Sequence, residues 1–415
     1  MSGRRRVVVT GMGAMTPLAL NLKETWEGLL AGRSGVGPIT QIDASPFPSR
    51  IAGELKGFEA ADYIDRKEVR RMARCSQVAV ATAQEALADA GLDVPVSDGE
   101  RVGTLVGTAV GGFEQGLDAV DIFREKGLAR LSPFTGISML TNMPSFHVSL
   151  WAGAMGPINT VIAACATGTQ AVGEAAEIIR RGAADVMICG GVEALMHFSV
   201  IATFCAMRGL STRNDEPEKA SRPFDADRDG FIYSEGCAIL VLESLEHARA
   251  RGTHVHAEVL GYASSADAFH IAQPHPEGDG ACRVMRWALE DAGLSPTDVD
   301  YINAHGSSTP INDAVETKAI KKVFGEHAYK LAINSTKSMI GHAMGGAGAI
   351  EAAVCVLSVE QGLLHPTINL ETPDPECDLD YVPEGARKAD VRVALSNSFG
   401  LGGQNACLAI GRFEE

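Results

Sequence analysis

Cys165 lies where an apolar stretch ends and a helical pattern begins, in the segment VIAACATGTQAVGEA. A thiol at a helix N-terminus feels the positive end of the helix dipole and the free backbone N–H groups, and both favour the nucleophilic thiolate. The small residues on either side leave room for a substrate. A buried, unreactive cysteine is the alternative, because free cysteines are often core residues. The other motifs of the chain distinguish a nucleophile from a buried, unreactive cysteine.

Three further side chains able to transfer protons or donate hydrogen bonds lie in similar corners. NAHGSSTP places His305 after a short strand, and NSTKSMIGHAMGGAGAIEA places Lys337 and His342 in a glycine-rich turn, with Glu351 on the next helix. A single histidine or lysine is most often structural or solvated. Corners of this kind line the crevice at the carboxyl ends of the strands in a wound α/β sheet, where ligands bind. We therefore expect these residues and Cys165 to form one site.

The elements that must position this site alternate between strands and helices. Apolar spacing predicts a helix over residues 70–91. Residues 159–191 have the pattern strand, turn, helix, strand, and residues 331–362 repeat a strand, a Ser/Gly-rich turn and an apolar helix. A strand and loop follow at 391–411, and RPFDADRDGF (222–231) is a polar loop that could cap the body. The recurrence indicates an internal duplication, and alternation predicts parallel sheets covered on both faces.

Composition excludes several classes of protein. The net charge of −16 argues against general nucleic-acid binding. No apolar stretch reaches the roughly 18 residues of a membrane helix, and MSGRRRVVVTGMG lacks a signal-peptide pattern, so we expect it to be the first strand of a cytoplasmic protein. The nine cysteines form no CxxC pairs, so we expect neither a zinc site nor a disulfide framework. GMGAMT lacks the third glycine of a dinucleotide-binding fingerprint, which argues against an NAD-binding site.

One segment has the opposite charge balance. RKEVRRMAR, residues 66–74, contains five basic residues and one acidic residue. Such a run can be the solvated face of a helix. It can also be a docking patch for an acidic partner.

Six motifs together resemble those of the elongating β-ketoacyl-acyl-carrier-protein synthases, the type II condensing enzymes of bacterial fatty-acid synthesis. They are TGMGAMTPL, ACATGT, SRPFDADRDGF, NAHGSSTP, NSTKSMIGHAMGGAGAIEA and NSFGLGG, and they span essentially the whole chain in the family's order. The resemblance implies the thiolase fold, in which two duplicated αβαβα halves pack as one five-layered body, and a homodimer. We expect residues 1–255 to form the half with the nucleophile and residues 256–415 the half with the His/Lys/His residues.

The resemblance also implies a reaction. Cys165 would accept an acyl group from the pantetheine thioester of an acyl carrier protein. His305 and His342 would donate hydrogen bonds to the thioester oxygen of malonyl-carrier as it loses carbon dioxide. Lys337 would balance the charge of the site and would be held by Glu351. No metal and no cofactor of the enzyme's own are expected, because the phosphopantetheine is carried by the partner.

Other positions match binding roles of the family. Phe399 resembles the family's gating residue, and its backbone N–H would form an oxyanion hole with that of the nucleophile. Val110 and Phe204 fall where the family lines its acyl pocket, and Val110 leaves room for medium to long chains. The positions that match the pantetheine contacts are Arg208, His270, Ser307 and Thr309, and those that match the carrier-docking patch are Arg66, Lys67, Arg70 and Arg71.

The chain departs from the family at several places. GLGGQN, with Leu401 and Gln404, replaces the usual GFGGTN. Ser307 replaces a threonine but keeps a hydroxyl, and Ala272 lacks the hydroxyl common at its position. Cys237 is larger than the usual residue. These changes bear on substrate preference more than on the reaction.

Three alternative functions stay open at this stage. The catalytic ketosynthase subunit of a polyketide synthase pair keeps the cysteine and is poorly separated from a fatty-acid enzyme by sequence. The silent chain-length subunit of such a pair has lost the nucleophile, so Cys165 argues against it. A coenzyme A thiolase needs a second reactive cysteine as base, and the candidate, Cys407, lies inside a predicted strand.

Overall fold

The computed structural model describes residues 4–414, so the first three residues of the predicted N-terminal strand segment lie outside it. The strands are β1 (Val7–Met15), β2 (Val36–Pro38), β3 (Ile51–Gly53), β4 (Val102–Gly107), β5 (Ile158–Asn159), β6 (Val186–Glu193), β7 (Gly236–Ser244), β8 (Ala257–Ala266), β9 (Tyr301–Asn303), β10 (Ala332–Asn334), β11 (Leu363–Leu364), β12 (Arg387–Lys388), β13 (Val393–Gly400) and β14 (Gln404–Gly411). The α-helices are α1 (Leu22–Leu30), α2 (Arg66–Val69), α3 (Arg74–Asp89), α4 (Phe113–Lys126), α5 (Thr135–Ser138), α6 (Met143–Ala152), α7 (Thr167–Arg180), α8 (Phe198–Ala206), α9 (Leu245–Arg251), α10 (Asp279–Ala292), α11 (Asn312–Phe324), α12 (Lys337–Ile340) and α13 (Met344–Gln361).

The fold is a duplication. The strand order β5-β4-β6-β7-β1 recurs as β10-β9-β13-β14-β8, and in both copies the first three strands are parallel and the last two antiparallel to their neighbours. The two copies meet edge to edge where β1 pairs with β8 at two positions, Val8 with Glu258 and Val9 with Ala257. The expectation of purely parallel sheets was wrong. In the second copy, for example, β13 and β14 are joined by a tight hairpin, which allows only antiparallel pairing.

Five layers pack against one another. Helices α7 and α13 lie between the two halves of the sheet and contact strands of both. Helices α3 and α6 cover the outer face of the first half, and α10 covers that of the second half with α11 beside it. The predicted apolar stripe of α7, formed by Val172, Ala175, Ala176 and Ile179, is fully buried. The layered αβαβα arrangement implied by the family resemblance is therefore confirmed.

The two central helices begin close together, and glycine makes this possible. A Cβ atom at Gly168 would lie 2.5 Å from the backbone N of Ala349, and one at Gly348 would lie 2.6 Å from the backbone N of Thr169. A larger residue at either position would push the helix N-termini apart. Because Cys165 precedes α7 and His342 precedes α13, this contact brings the two residues into one region.

Several local predictions differ from the structure. The strand predicted before Cys165 is only the two-residue β5. The helix predicted over 70–91 begins at Arg74, because the side-chain amide of Gln77 donates to the carbonyls of Val69 and Met72 and closes a turn between α2 and α3. The loop 222–231 is largely buried rather than a polar cap. Within residues 4–414, no helix has both the length and the apolar character needed to cross a bilayer.

Candidate active site

A cavity of about 380 Å³ opens beside the start of the two central helices. The residues predicted for the site that line it are Cys165, Phe204, Arg208, His305, Ser307, Thr309, His342 and Phe399. Lys337 and Glu351 are buried, and Val110 and His270 also lie outside its wall. The structure thus brings one thiol and two imidazoles from both halves of the chain to one wall.

Cys165 occupies the middle of a single 3-10 turn, Ala164–Ala166, that leads directly into α7. The thiol is buried, with 5% of the residue exposed. Burial raises the pKa of Cys165 to about 11, against the opposing effects of a backbone hydrogen bond from Leu401 and the charge of Lys337. Burial therefore opposes the thiolate that the helix N-terminus favours, and the loss of hydration has the larger effect on the pKa.

The raised pKa predicts how Cys165 reacts with a small alkylating agent. Because only the thiolate reacts, the alkylation rate is expected to rise about tenfold for each pH unit between about pH 7 and pH 10. Pulsed iodoacetamide labelling followed by peptide mass mapping measures this rate at Cys165 separately from the other cysteines. A plateau below about pH 9 would show that the helix N-terminus and Lys337 outweigh burial.

His305 and His342 lie next to each other in the cavity wall. Their ring centroids are 5.3 Å apart and the rings are nearly perpendicular, at 82°. Burial lowers the pKa of both histidines well below 6.5, and the nearby Lys337 charge lowers it further, so both rings are neutral at pH 7. Nδ1 of His305 and both ring nitrogens of His342 have no hydrogen-bond partner among the described residues. Two neutral imidazoles of this kind can donate N–H groups to an oxygen that gains negative charge.

The backbone around His305 is held by a carboxylate that the sequence analysis did not single out. Glu316, on α11, accepts hydrogen bonds from the N–H groups of His305 at 2.9 Å and Gly306 at 2.8 Å. Burial raises the pKa of Glu316 to about 7. An acidic residue at a buried position of the helix that follows NAHGSSTP was the available signal.

A second missed carboxylate holds the other side of the site. Glu193, at the end of β6, accepts hydrogen bonds from the N–H groups of Ala109 at 3.0 Å and Gly345 at 3.2 Å. It therefore ties the loop after β4 to the first turn of α13. Burial raises the pKa of Glu193 to about 7 as well.

Lys337 and Glu351 form an ion pair in the interior, with 1% of each side chain exposed. Burial raises the pKa of Glu351 to about 7, although the charge of Lys337 opposes the shift. Within residues 4–414, the second carboxylate oxygen of Glu351 has no hydrogen-bond partner, and neither do Asn303 Oδ1, Ser396 Oγ and Asn397 Oδ1, which are also buried. Such oxygens are the donors that a hard cation prefers, so each of these residues offers a ligand atom of that class.

Phe399, the penultimate residue of β13, lies at the cavity, with its ring centroid 5.7 Å from that of His305. The turn that follows contains Gly402 and Gly403 at φ angles of 82° and 68°, a region that favours glycine. Gly402 N–H donates to the carbonyl of Ile271 at 2.8 Å, and Asp267 N–H donates to the carbonyl of Gly403 at 2.8 Å. The hairpin that carries Phe399 is therefore attached to the loop after β8.

The inner end of the site is aromatic and apolar. The ring of Phe204 lies 5.3 Å from that of Phe231 and 6.0 Å from that of Tyr233. Val110 is half-buried against the same hydrophobic cluster, which also contains Cys165. This cluster places apolar surface next to the nucleophile.

The polar mouth of the cavity is held by the buried loop 222–231. Ser307 and Thr309 place their hydroxyl oxygens 3.1 Å apart. The guanidinium of Arg228 donates to the carbonyls of Thr309 at 3.0 Å and Pro310 at 2.9 Å. His270 is exposed, and its Nδ1 accepts the N–H groups of the turn that follows it. The loop is therefore a brace for the residues at the mouth.

The basic segment has four exposed cations, Arg66, Lys67, Arg70 and Arg71. Arg71 pairs with Glu68 at 2.8 Å. The fifth basic residue, Arg74, points inward and pairs with the buried Glu235 at 2.7 Å. Only the first four are thus available to a partner.

The family model of the β-ketoacyl synthase N-terminal domain matches residues 4–248, and that of the C-terminal domain matches residues 256–371. A 3-oxoacyl-[acyl-carrier-protein] synthase 2 from Synechocystis sp. is 50% identical over 411 residues, 99% of each chain.

Two solved structures are similar over 99% of this chain and 100% of their own. One is a β-ketoacyl synthase from Burkholderia phymatum, with a TM-score of 0.91 and 38% identity. The other is a type II polyketide ketosynthase in complex with its acyl-carrier protein, with a TM-score of 0.91 and 36% identity.

Proposed function

The chain belongs to the β-ketoacyl synthase family, and from this premise we propose that it is a 3-oxoacyl-[acyl-carrier-protein] synthase of fatty-acid chain elongation. The observation that carries the proposal is one cavity lined by Cys165, His305 and His342. The two halves, residues 1–255 and 256–415, supply different residues of the site. The first supplies the nucleophile, and the second supplies both histidines and Lys337.

The first step is transfer of the acyl group. The sulfur of Cys165 attacks the thioester carbonyl of acyl-carrier, a new C–S bond forms, and the carrier's pantetheine thiol leaves with the proton. The backbone N–H groups of Cys165 and Phe399 stabilise the negative charge on the carbonyl oxygen. Lys337 favours the thiolate by its charge, which offsets part of the cost of burial.

The second step joins two carbons. Malonyl-carrier loses carbon dioxide, and the electron pair of the broken C–C bond moves into an enolate of the thioester. Neutral His305 and His342 donate N–H groups to the enolate oxygen, which is where the charge develops. The carbanion carbon then attacks the acyl carbonyl, and Cys165 leaves as the product 3-oxoacyl-carrier forms. No redox step is involved.

The substrate reaches the cysteine as a thioester on the carrier's phosphopantetheine, so the enzyme needs no cofactor of its own. We assign the acyl chain to the apolar cluster with Phe204 and Val110, and the pantetheine arm to the polar mouth. The mouth residues matched to that arm are Arg208, His270, Ser307 and Thr309, of which His270 stands outside the cavity wall. We expect the reaction to take place in the cytoplasm.

Condensation by the purified chain alone tests this function. Acyl-carrier and malonyl-carrier together should yield 3-oxoacyl-carrier and carbon dioxide, and assays with butyryl- and dodecanoyl-carrier compare short and long chains in the apolar cluster. If product formed only after a second, different chain was added, the protein would be the catalytic subunit of a polyketide pair. If it formed from coenzyme A esters without malonyl-carrier, the protein would be a thiolase. The 50% identity with a 3-oxoacyl-[acyl-carrier-protein] synthase 2, against 36% with the polyketide ketosynthase, favours the first function.

We propose that the exposed basic segment docks the acidic acyl carrier. The double substitution Arg66→Glu/Arg70→Glu is expected to raise the KM for carrier substrates about tenfold and to leave kcat unchanged, because rim charges act mainly on association. The measurement is steady-state kinetics at several ionic strengths. The double variant Arg249→Glu/Arg286→Glu, an equal charge change at exposed positions on α9 and α10, is the control. An identical KM in the double variant would place the carrier elsewhere.

We propose that the protein is a homodimer formed through one apolar face. Twelve of the twenty exposed large apolar residues of the described chain lie between residues 113 and 162, around α4, α6 and the edge strand β5. Exposed apolar patches and unpaired strand edges are surfaces that partners cover. Ile162, three residues before Cys165, is 51% exposed on this face.

Light scattering is expected to give twice the mass of one chain. Leu150→Glu, on α6, should shift the protein toward a monomer, because it would place charge in the apolar interface. Tyr329→Glu, at an exposed position outside the face, should leave the mass unchanged. A wild-type monomer at micromolar concentration would contradict the proposal.

A further inference from the structure

Two histidines and two carboxylates meet on the side of the molecule away from the described cavity. His254 and His256 lie in the connection between α9 and β8, Glu360 is in the last turn of α13, and Asp89 ends α3. His254 Nε2 is 2.7 Å from Glu360 Oε1, and His256 Nδ1 is 3.1 Å from both oxygens of Glu360. One ligand atom from each of His254, His256 and Glu360 lies within 4.8 Å of the other two.

The fourth residue completes a recognisable arrangement. The other ring nitrogen of His256, Nε2, lies 3.2 Å from Asp89 Oδ2. Asp89 is itself held in place, because its Oδ2 accepts the backbone N–H of Met12 at 2.8 Å. A histidine that binds a metal usually donates its second ring N–H to such a fixed carboxylate, which orients the ring and increases its basicity.

We propose that His254, His256 and Glu360 bind a divalent transition-metal ion of the zinc class, with Asp89 as the carboxylate that orients His256. Two imidazoles and one carboxylate suit Zn²⁺, Co²⁺ or Ni²⁺, whereas Mg²⁺ and Ca²⁺ prefer all-oxygen sites. The His254 side chain is 68% exposed, so the ion can enter from solvent and keep water in a fourth position.

The position of the site indicates a structural role. The ion would join the connection between the two halves of the chain to the end of α13, and Asp89 would link the end of α3 to it through His256. Glu360 lies nine residues after Glu351 on α13, about 13 Å along the helix axis. Metal binding is therefore expected to raise the melting temperature while leaving the rate of condensation unchanged.

Titration of the tag-free, metal-stripped full-length protein with Co²⁺ tests the site directly. Visible absorption of the protein-bound ion is expected to saturate at one equivalent, and bound metal is confirmed by native mass spectrometry. His254→Ala and Glu360→Gln remove ligands and should weaken binding at least about tenfold, and Asp89→Asn should weaken it about 10- to 100-fold.

His247→Ala is the matched control. His247 also lies beside a carboxylate, with Nδ1 2.5 Å from Glu243 Oε2, but it is not among the residues whose ligand atoms cluster. The control should bind Co²⁺ as the wild-type protein does. The proposal is overturned if no stoichiometric binding occurs, or if His254→Ala and Glu360→Gln bind as tightly as wild type. The cluster would then be an ion-pair network in which His256 bridges Asp89 and Glu360.

Discussion

Replacing Cys165 with alanine is expected to abolish acyl transfer and to leave the decarboxylation of malonyl-carrier largely intact. The two half-reactions use different groups, because the thiol forms the acyl-enzyme and the histidine N–H groups stabilise the enolate. Condensation is expected to fall by about 10³-fold or more, as it does when a catalytic nucleophile is removed. Alanine differs from cysteine by one buried sulfur, so the cavity and both histidines should stay in place.

His305→Ala and His342→Ala are expected to show the opposite pattern. Loss of one N–H donor should slow decarboxylation about 10²- to 10³-fold, the usual effect of removing one donor to a developing oxyanion. Acylation of Cys165 should persist. Each histidine is held by its own backbone contacts, such as the Glu316 bonds at His305 N–H and Gly306 N–H, so the loops should survive the truncation.

The two half-reactions can be measured separately in the same preparations. Intact mass spectrometry reports acylation, and release of labelled carbon dioxide reports decarboxylation. Cys282→Ala, at a cysteine on α10 outside the cavity wall, is the control and should affect neither. The assignment of acylation to Cys165 and of decarboxylation to the histidines is wrong if the Cys165 variant is still acylated. It is also wrong if the histidine variants lose acylation as completely as decarboxylation.

The second large effect is expected at the buried ion pair. Glu351→Ala leaves the ammonium of Lys337 in the interior without its counter-charge and is expected to lower the free energy of unfolding by about 3–5 kcal/mol. Lys337→Met should cost less near pH 6, because burial already raises the pKa of Glu351 to about 7 with the lysine present. Without the lysine the carboxyl stays protonated in the folded state and is neutral.

The pH dependence of the lysine variant follows from the sign of that shift. The pKa of Glu351 is higher in the folded than in the unfolded protein, so the folded state binds the extra proton. Stability of Lys337→Met is therefore expected to fall as the pH rises from about 6 to 8. Urea unfolding at both pH values measures it.

The double variant Lys337→Met/Glu351→Leu separates charge from shape. With both charges removed, much of the loss caused by Glu351→Ala should be recovered, because an apolar pair carries no desolvation penalty. Catalysis should not return. Strictly additive losses of stability in the single and double variants would show that the two side chains do not act as a pair.

Motifs and periodicity predicted the parts of the site that depend on local sequence. Cys165 at the entry to a helix, His305 after a short strand and the repeated strand–helix units follow from short segments, and the structure has each of them. The strand-to-loop corner predicted for His342 was wrong, because His342 lies between α12 and α13. The antiparallel course of β7 depends on its pairing with β1 and β6, which are distant in sequence and which periodicity does not encode, whereas β14 is antiparallel because a tight hairpin joins it to β13. The order of the strands in each half of the sheet therefore could not be predicted from periodicity.

The electrostatic properties of the site could not be predicted from the sequence where burial determines them. The helix N-terminus at Cys165 is visible in the sequence, but the loss of water around the thiol is a property of the packed interior and has the larger effect on the pKa. Glu316 and Glu193 were missed for a related reason. Each carboxylate acts through backbone N–H groups of loops that only the fold brings to it. Arg74 belonged to a basic run in sequence, yet it points to Glu235 inside.

The central claim is that Cys165 carries the acyl group between the two half-reactions. The most direct test is the intact mass of the protein after incubation with a medium-chain acyl-carrier, followed by addition of malonyl-carrier. An adduct of one acyl group that maps to Cys165 and is discharged as 3-oxoacyl-carrier with release of carbon dioxide is the predicted result. An adduct at another residue, or product formed by the Cys165→Ala protein at the wild-type rate, would contradict it.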